Sequence, residues 1–151
     1  MTKRVPLLIV LGGLACGGHN PSTVPEPQTP NAALEQYLAA VKARDQKRMA
    51  ELWGNEHGSV LNSKPDTVVY KYVAVHLKYL DNRGYRIIDG PTESHTGPHV
   101  LVFHVELDLK DGCKHVQQFD VMRTHSGGWM VFDVHTEAKH TPGAPCEKGT
   151  G

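Results

Sequence analysis

The spacing of apolar residues changes character three times along the chain. Val5 to Leu11 is an unbroken apolar run, and after Cys16 the stretch GGHNPSTVPEPQTP offers almost nothing that could fill a core. From Thr29 the apolar positions recur at helical spacing, with Ala33, Leu34, Tyr37, Leu38 and Val41 on one stripe. Thr29 suits the N-cap and Pro30 the first turn, where its missing N–H would be unpaired anyway, so a helix is predicted from there. Asp45 caps a short second helix, QKRMAELW, that turns Met49, Leu52 and Trp53 inward and ends at Gly54. A third helix is predicted over KPDTVVYKYVAVHLKYL, where Val68, Tyr72, Val75 and Tyr79, joined by Val69, Val73, Leu77 and Leu80, mark a broad apolar face. Its valines and tyrosines also favour strand, and DNRG stops it.

From Tyr85 the period shortens to two, which is the strand repeat. Four strands are predicted: YRIIDG, HVLVFHVELDLK, KHVQQFDVMRTH and WMVFDVHTEA. Leu101, Phe103, Val105, Leu107 and Leu109 face one way, while Val102, His104, Glu106 and Asp108 face the other. Asp111-Gly112 reads as a tight two-residue turn and Ser126-Gly127-Gly128 as a second turn signal. Counting across the first turn pairs Leu107 with Val116. That count turns Phe119 outward unless one extra residue enters at Gln117-Gln118, so a β-bulge is predicted there, returning Phe119 and Val121 to the apolar face. Met130, Phe132 and Val134 complete that face. The expected fold class is α+β, with N-terminal helices packed on a curved antiparallel four-stranded sheet.

The chain has 151 residues, the length of one domain with extensions. Its formal net charge is zero with interspersed signs, so the basic face of a nucleic-acid binder is missing and no nucleic acid is expected as partner. Lys3 and Arg4, the apolar run and the small residues before Cys16 follow the order of a secretory signal peptide, and the run is too short to span a bilayer. GLAC resembles the lipobox of bacterial lipoproteins, with Gly13 where leucine is usual and Leu14 where a small residue is usual. The resemblance implies that Cys16 is acylated and holds the protein on the periplasmic or outer side of the cell envelope, the outer membrane in a Gram-negative cell. The expected organisation is a signal peptide at 1–15, a Pro/Gly-rich tether at 16–29, an α+β domain at 30–137 and a flexible tail at 138–151. An extended tether of this kind reaches about 30 to 40 Å.

The helix ALEQYLAAVKARD, a short helix capped by Asp45, a longer helix, and a meander ending in GGWMVFDVH resemble the nuclear transport factor 2-like superfamily, over about residues 31 to 137. The resemblance implies a cone of helices on a curved sheet, in a group that includes ketosteroid isomerase, scytalone dehydratase and many exported lipoproteins. The family's first hairpin belongs between Trp53 and Pro65, a stretch that is short here.

With Cys16 acylated, Cys113 and Cys146 remain in an oxidising compartment, and three outcomes are open: a bridge between them, two free thiols, or pairing between molecules. With the bulged register, His104, Asp120 and His135 fall side by side on the outer sheet face, a row with Zn²⁺-ligand chemistry, although a solvated cross-strand arrangement is the commoner meaning of such residues. Glu93, His95 and His99 form a second polar cluster in a loop. Asp120 and Asp133, the late strand aspartates an isomerase-type enzyme would draw on, face away from the core by alternation, whereas Arg123 is the charged side chain at an inward position. Arg123, Tyr72 and Phe103 are the candidate ligand contacts. No nucleophile elbow, HExxH, P-loop or dinucleotide fingerprint occurs, so no catalytic residue and no cofactor are expected. The functional expectation is a membrane-tethered, non-catalytic domain that binds a small apolar or anionic ligand or an envelope partner, with a homodimer through the sheet face as a further arrangement. Two alternatives stand beside it: an isomerase or dehydratase using the cone, and a histidine-rich metal- or pH-responsive module, the chain having ten histidines.

Overall fold

A computed structural model of the chain describes residues 24–136 and Cys146. Cys16, the apolar run before it and most of the expected C-terminal tail lie outside the described residues. Thr29 caps helix α1 (Pro30–Ala43) by accepting the Ala32 N–H, and Arg44 closes it in the left-handed conformation, φ 56°. Ala33, Leu34, Tyr37, Leu38 and Val41 are all fully buried, as the stripe requires. Asp45 caps α2 (Gln46–Leu52) through the Arg48 N–H. A two-residue hairpin follows, β1 (Gly54–Asn55) against β2 (Gly58–Ser59), in the short stretch before Pro65. A 3₁₀ turn at Val60–Asn62 leads to α3 (Asp66–Leu80). The chain then runs as an antiparallel meander, β3 (Asn82–Glu93), β4 (Val100–Leu109), β5 (Lys114–Arg123) and β6 (Trp129–Val134), in spatial order β3-β4-β5-β6. This is the expected α+β class: three helices, then a four-stranded antiparallel sheet. Among the described residues no helix is long and apolar enough to cross a membrane.

The core lies between the sheet's inner face and α1, which packs on β3, β5 and β6, with α2 and α3 closing over it. Phe103, Val105, Leu107, Phe119 and Val121 supply the sheet's share and are fully buried.

Three details depart from the alternation count. First, β4 and β5 pair without interruption, from Val100 opposite Met122 to Asp108 opposite Lys114, so Leu107 meets His115 and no bulge occurs at Gln117-Gln118. The odd residue sits in the turn instead. The Leu109 N–H donates to the Cys113 carbonyl and the Gly112 N–H to the Leu109 carbonyl, which is a three-residue loop ended by a glycine at φ 89°. The β5–β6 turn repeats that chemistry with Thr124, Gly128 and Gly127, the last at φ 93°.

Second, the bulge lies in β6. Asp120 pairs with Asp133 and Val121 with Val131, leaving Phe132 over, so Val131 is fully buried and Phe132 is 37% exposed. Trp53 accounts for the site: its Nε1–H donates to the Phe132 carbonyl at 3.2 Å, and its backbone bridges Val131. Half-buried rather than inward, Trp53 thus satisfies the bulged strand.

Third, α3 buries Val69, Val73, His76, Leu77 and Leu80, while Val68, Tyr72 and Val75 face solvent. Both apolar rows of that helix are real, but only one finds a partner.

Cys113, brought to the hairpin tip by the three-residue loop, is bonded to Cys146, with their Cα atoms 5.3 Å apart. The bridge joins residues 33 apart in sequence, so the chain-entropy model assigns it about 3 to 4 kcal/mol. Chemical denaturation of the native protein should therefore show stability lower by about that amount in the Cys113→Ser/Cys146→Ser double variant. Equal midpoints and slopes would show that the bond contributes nothing.

Candidate functional site

Polar chemistry in two places bears on function. One is inside the core. Tyr37 on α1 is fully buried, and its Oη lies 2.7 Å from Nδ1 of His76 on α3, a residue only 7% exposed. Burial raises the phenol well above its usual range and lowers the imidazole to about 4, so both are neutral at pH 7. The phenol therefore donates, Nδ1 accepts, and the ring proton sits on Nε2. Trp53 meets the His76 ring edge-on at 5.1 Å and Phe119 meets Tyr37 at 6.5 Å. The pair is an internal polar tie between two helices, with Tyr37 fully buried and His76 7% exposed. The signal for it was present in the sequence: His76 follows Val69 and Val73 at helical spacing on the stripe that is buried.

The other place is one end of the sheet, where three turns meet. The β3–β4 loop carries His99 at φ 71°, and the His99 carbonyl accepts the Arg123 N–H at 3.0 Å. The Glu56 carbonyl, between β1 and β2, accepts the His125 N–H of the β5–β6 turn at 2.8 Å, and the rings of His57 and His125 meet at 5.0 Å. The Glu26 carboxylate accepts from the hydroxyls of Thr124 and Ser126, each at 2.6 Å, while the Pro27 carbonyl accepts the Trp129 N–H at 2.8 Å. Residues expected as the end of a tether are thus tied onto the hairpin.

These ties hold open two adjoining clefts, of about 520 and 640 Å³, within the range of small-ligand sites. Arg123, His99, Val100 and Pro98 line both. The first adds Met122 and Phe132 as apolar wall with Glu56 and His125 as polar rim. The second adds Leu101 and Trp129 with Glu93 and His95.

The sequence candidates fall unevenly on this map. Arg123 lies at the cleft, exposed at the sheet end rather than inside the core. The loop cluster Glu93, His95 and His99 lines the second cleft. Phe103 is a fully buried core residue and Tyr72 is 53% exposed against Trp53, so neither reaches the clefts. The outer row is only half assembled. His135 Nε2 lies 3.2 Å from Asp120, which also accepts from Gln118 and is 2% exposed, but His104 sits opposite Gln118 and turns to Asp89 at 3.4 Å. Continuous β4–β5 pairing is what separates His104 from the other two. Among the described residues no group of three or more His, Cys, Asp or Glu side chains is placed to hold a metal ion. Elsewhere the outer face carries ion pairs, Arg83 with Asp108 and both Arg86 and Lys114 with Glu106.

No protein-family model matches the chain, and no curated protein matches it either. Among solved structures, a protein from Xanthomonas campestris provisionally described as a calcium/calmodulin dependent protein kinase II association domain aligns with 70% of this chain and 81% of its own, at 17% identity and a TM-score of 0.36. The fold described above rests on the chain's own elements and register.

The core pair makes a pH prediction. A histidine titrating near 6.5 when unfolded and near 4 when folded contributes stability that is complete above pH 6.5 and lost as pH falls toward 4, to about 3 kcal/mol. His76→Gln should be less stable at pH 7.5 yet lose less on acidification, by about that amount; parallel urea-stability profiles for the two proteins from pH 7.5 to 4 would contradict it. At the cleft, His99→Gly should leave stability nearly unchanged, whereas His99→Val should cost about 1 to 3 kcal/mol because a β-branched residue resists positive φ. Thermal melts of both variants check this.

Proposed function

We propose that the chain is an exported, lipid-anchored envelope protein whose domain is a non-catalytic binding module, with the clefts at the joined turns as its ligand site. The observation that carries this reading is the tie of Glu26 and Pro27 to the β5–β6 turn, because that same turn forms the cleft rim. Cys16 and Glu26 are ten residues apart, a reach of at most about 35 Å. An anchor at Cys16 therefore keeps the clefts close to the bilayer and on the side from which the chain leaves the domain. The signal-like N-terminus supplies the address, and the cation over apolar walls supplies the binding chemistry. An isomerase-type reading draws less support. The Tyr37 hydroxyl and Nδ1 of His76 are committed to their mutual hydrogen bond, and Asp120 is taken up by His135 and Gln118.

The test of the anchor is cell fractionation. The unaltered protein is expected in the membrane fraction with an acylated cysteine detectable by mass, and Cys16→Ser is expected to leave the membranes. Retention of Cys16→Ser in the membrane fraction after a salt wash would overturn the anchor.

A further inference from the structure

We propose that the ligand of the clefts is an amphiphile with an anionic head, a carboxylate or a phosphate, held by Arg123 while its apolar body lies on Val100, Met122 and Phe132. The inference rests on the reading of the clefts as a ligand site and adds the class of ligand. Its first support is a comparison of the arginines. Arg44 pairs with Asp81, Arg48 with Glu51, Arg83 with Asp108 and Arg86 with Glu106. Among the described residues Arg123 is the one arginine whose guanidinium has no carboxylate partner, although carboxylates stand nearby. Glu56, on the first rim, lies 3.7 Å from His57; Glu26 is engaged by Thr124 and Ser126; Glu93 lines the second cleft. A planar guanidinium with five N–H donors and no internal acceptor fits a carboxylate or phosphate oxygen pair.

The second support is where that cation sits. Its backbone N–H is held by the His99 carbonyl, so its Cα is placed at the sheet end, and it lines both clefts together with His99, whose ring offers a further donor. The third support is the wall. The bulge in β6 turns Phe132 out of the core and into the cleft lining, beside Met122 and Val100. The bulge that buries Val131 and gives Trp53 the Phe132 carbonyl also leaves the Phe132 ring lining the same cleft as Arg123, and the two together suit a molecule that is charged at one end and apolar along its length.

The test uses the purified full chain. Calorimetric titration with decanoate should show saturable binding, decyltrimethylammonium of the same chain length should not bind, and Arg123→Gln should weaken decanoate roughly ten- to hundredfold. Arg86→Gln, which removes a cation from the outer face, should leave decanoate binding unchanged, and far-UV circular dichroism should show both variants folded. Sedimentation with phosphatidylglycerol vesicles separates the sources: an Arg123-dependent share of vesicle binding identifies a bilayer lipid, and its absence beside decanoate binding identifies a free amphiphile. Equal binding of both decyl compounds, or of decanoate to Arg123→Gln, would overturn the anionic head while leaving the clefts as a ligand site. No binding of any probe at millimolar concentration would overturn the ligand class, and with it the site, independently of the anchor tested by Cys16→Ser.

Discussion

The uninterrupted register of β4 on β5 is the constraint on which the rest of the molecule depends. Placing Phe103 opposite Phe119 and Leu101 opposite Val121 puts one apolar row on one face of the sheet, and a slip of a single residue would send that row to solvent. Helix α1 buries its apolar stripe against that face of the sheet and against α2. The register also decides both ends of the strand pair. At one end it leaves three residues for the turn and sets Cys113 at the tip, where it bonds Cys146. At the other it ends at Val100 opposite Met122, so that Arg123 emerges at the rim with its N–H on the His99 carbonyl.

The interior and the rim solve opposite problems. Inside, Tyr37 and His76 are both taken out of water, and each is kept neutral and paired with the other, so that a polar link crosses the core without a buried charge. At the rim, three turns that would otherwise be separate loops are tied by backbone hydrogen bonds and by the Glu26 carboxylate, which gives a concave surface with a fixed shape. Rigid scaffold plus loop-borne polar groups is the usual basis of binding sites. The N-terminal segment is one of these ties, through Glu26 and Pro27.

Most of the fold was legible in the sequence because its signals are local. Caps at Thr29 and Asp45, the stripes on α1 and α2, and the change from period 3.6 to period 2 depend on neighbours a few residues away. What the sequence left open depends on contacts between distant elements. One odd residue in the β4–β5 hairpin can be absorbed by the strand or by the turn, and alternation alone does not choose between them. The bulge at Phe132 exists because Trp53, far away in sequence, bonds its carbonyl, so counting along β6 placed Phe132 inward and Val131 outward. On α3 two apolar rows were visible, and which one is buried is decided by where α2 lies. The site was legible in part: Arg123 and the Glu93, His95 and His99 loop are at the clefts, but nothing local links them to Glu56 or Thr124. His104 stands apart from Asp120 and His135 because the expected row inherited the misplaced bulge.

Ligand binding is proposed at the rim where the turns are tied, and not at the Tyr37–His76 pair between α1, α3 and the sheet. Backbone amide chemical-shift mapping of the ¹⁵N-labelled protein during titration with decanoate tests this most directly. Saturable shifts are expected on residues 94–100, 122–129 and 56–57, with Tyr37 and His76 unmoved. Shifts gathered on α1 and α3 around Tyr37 and His76, with the turns unchanged, would contradict it.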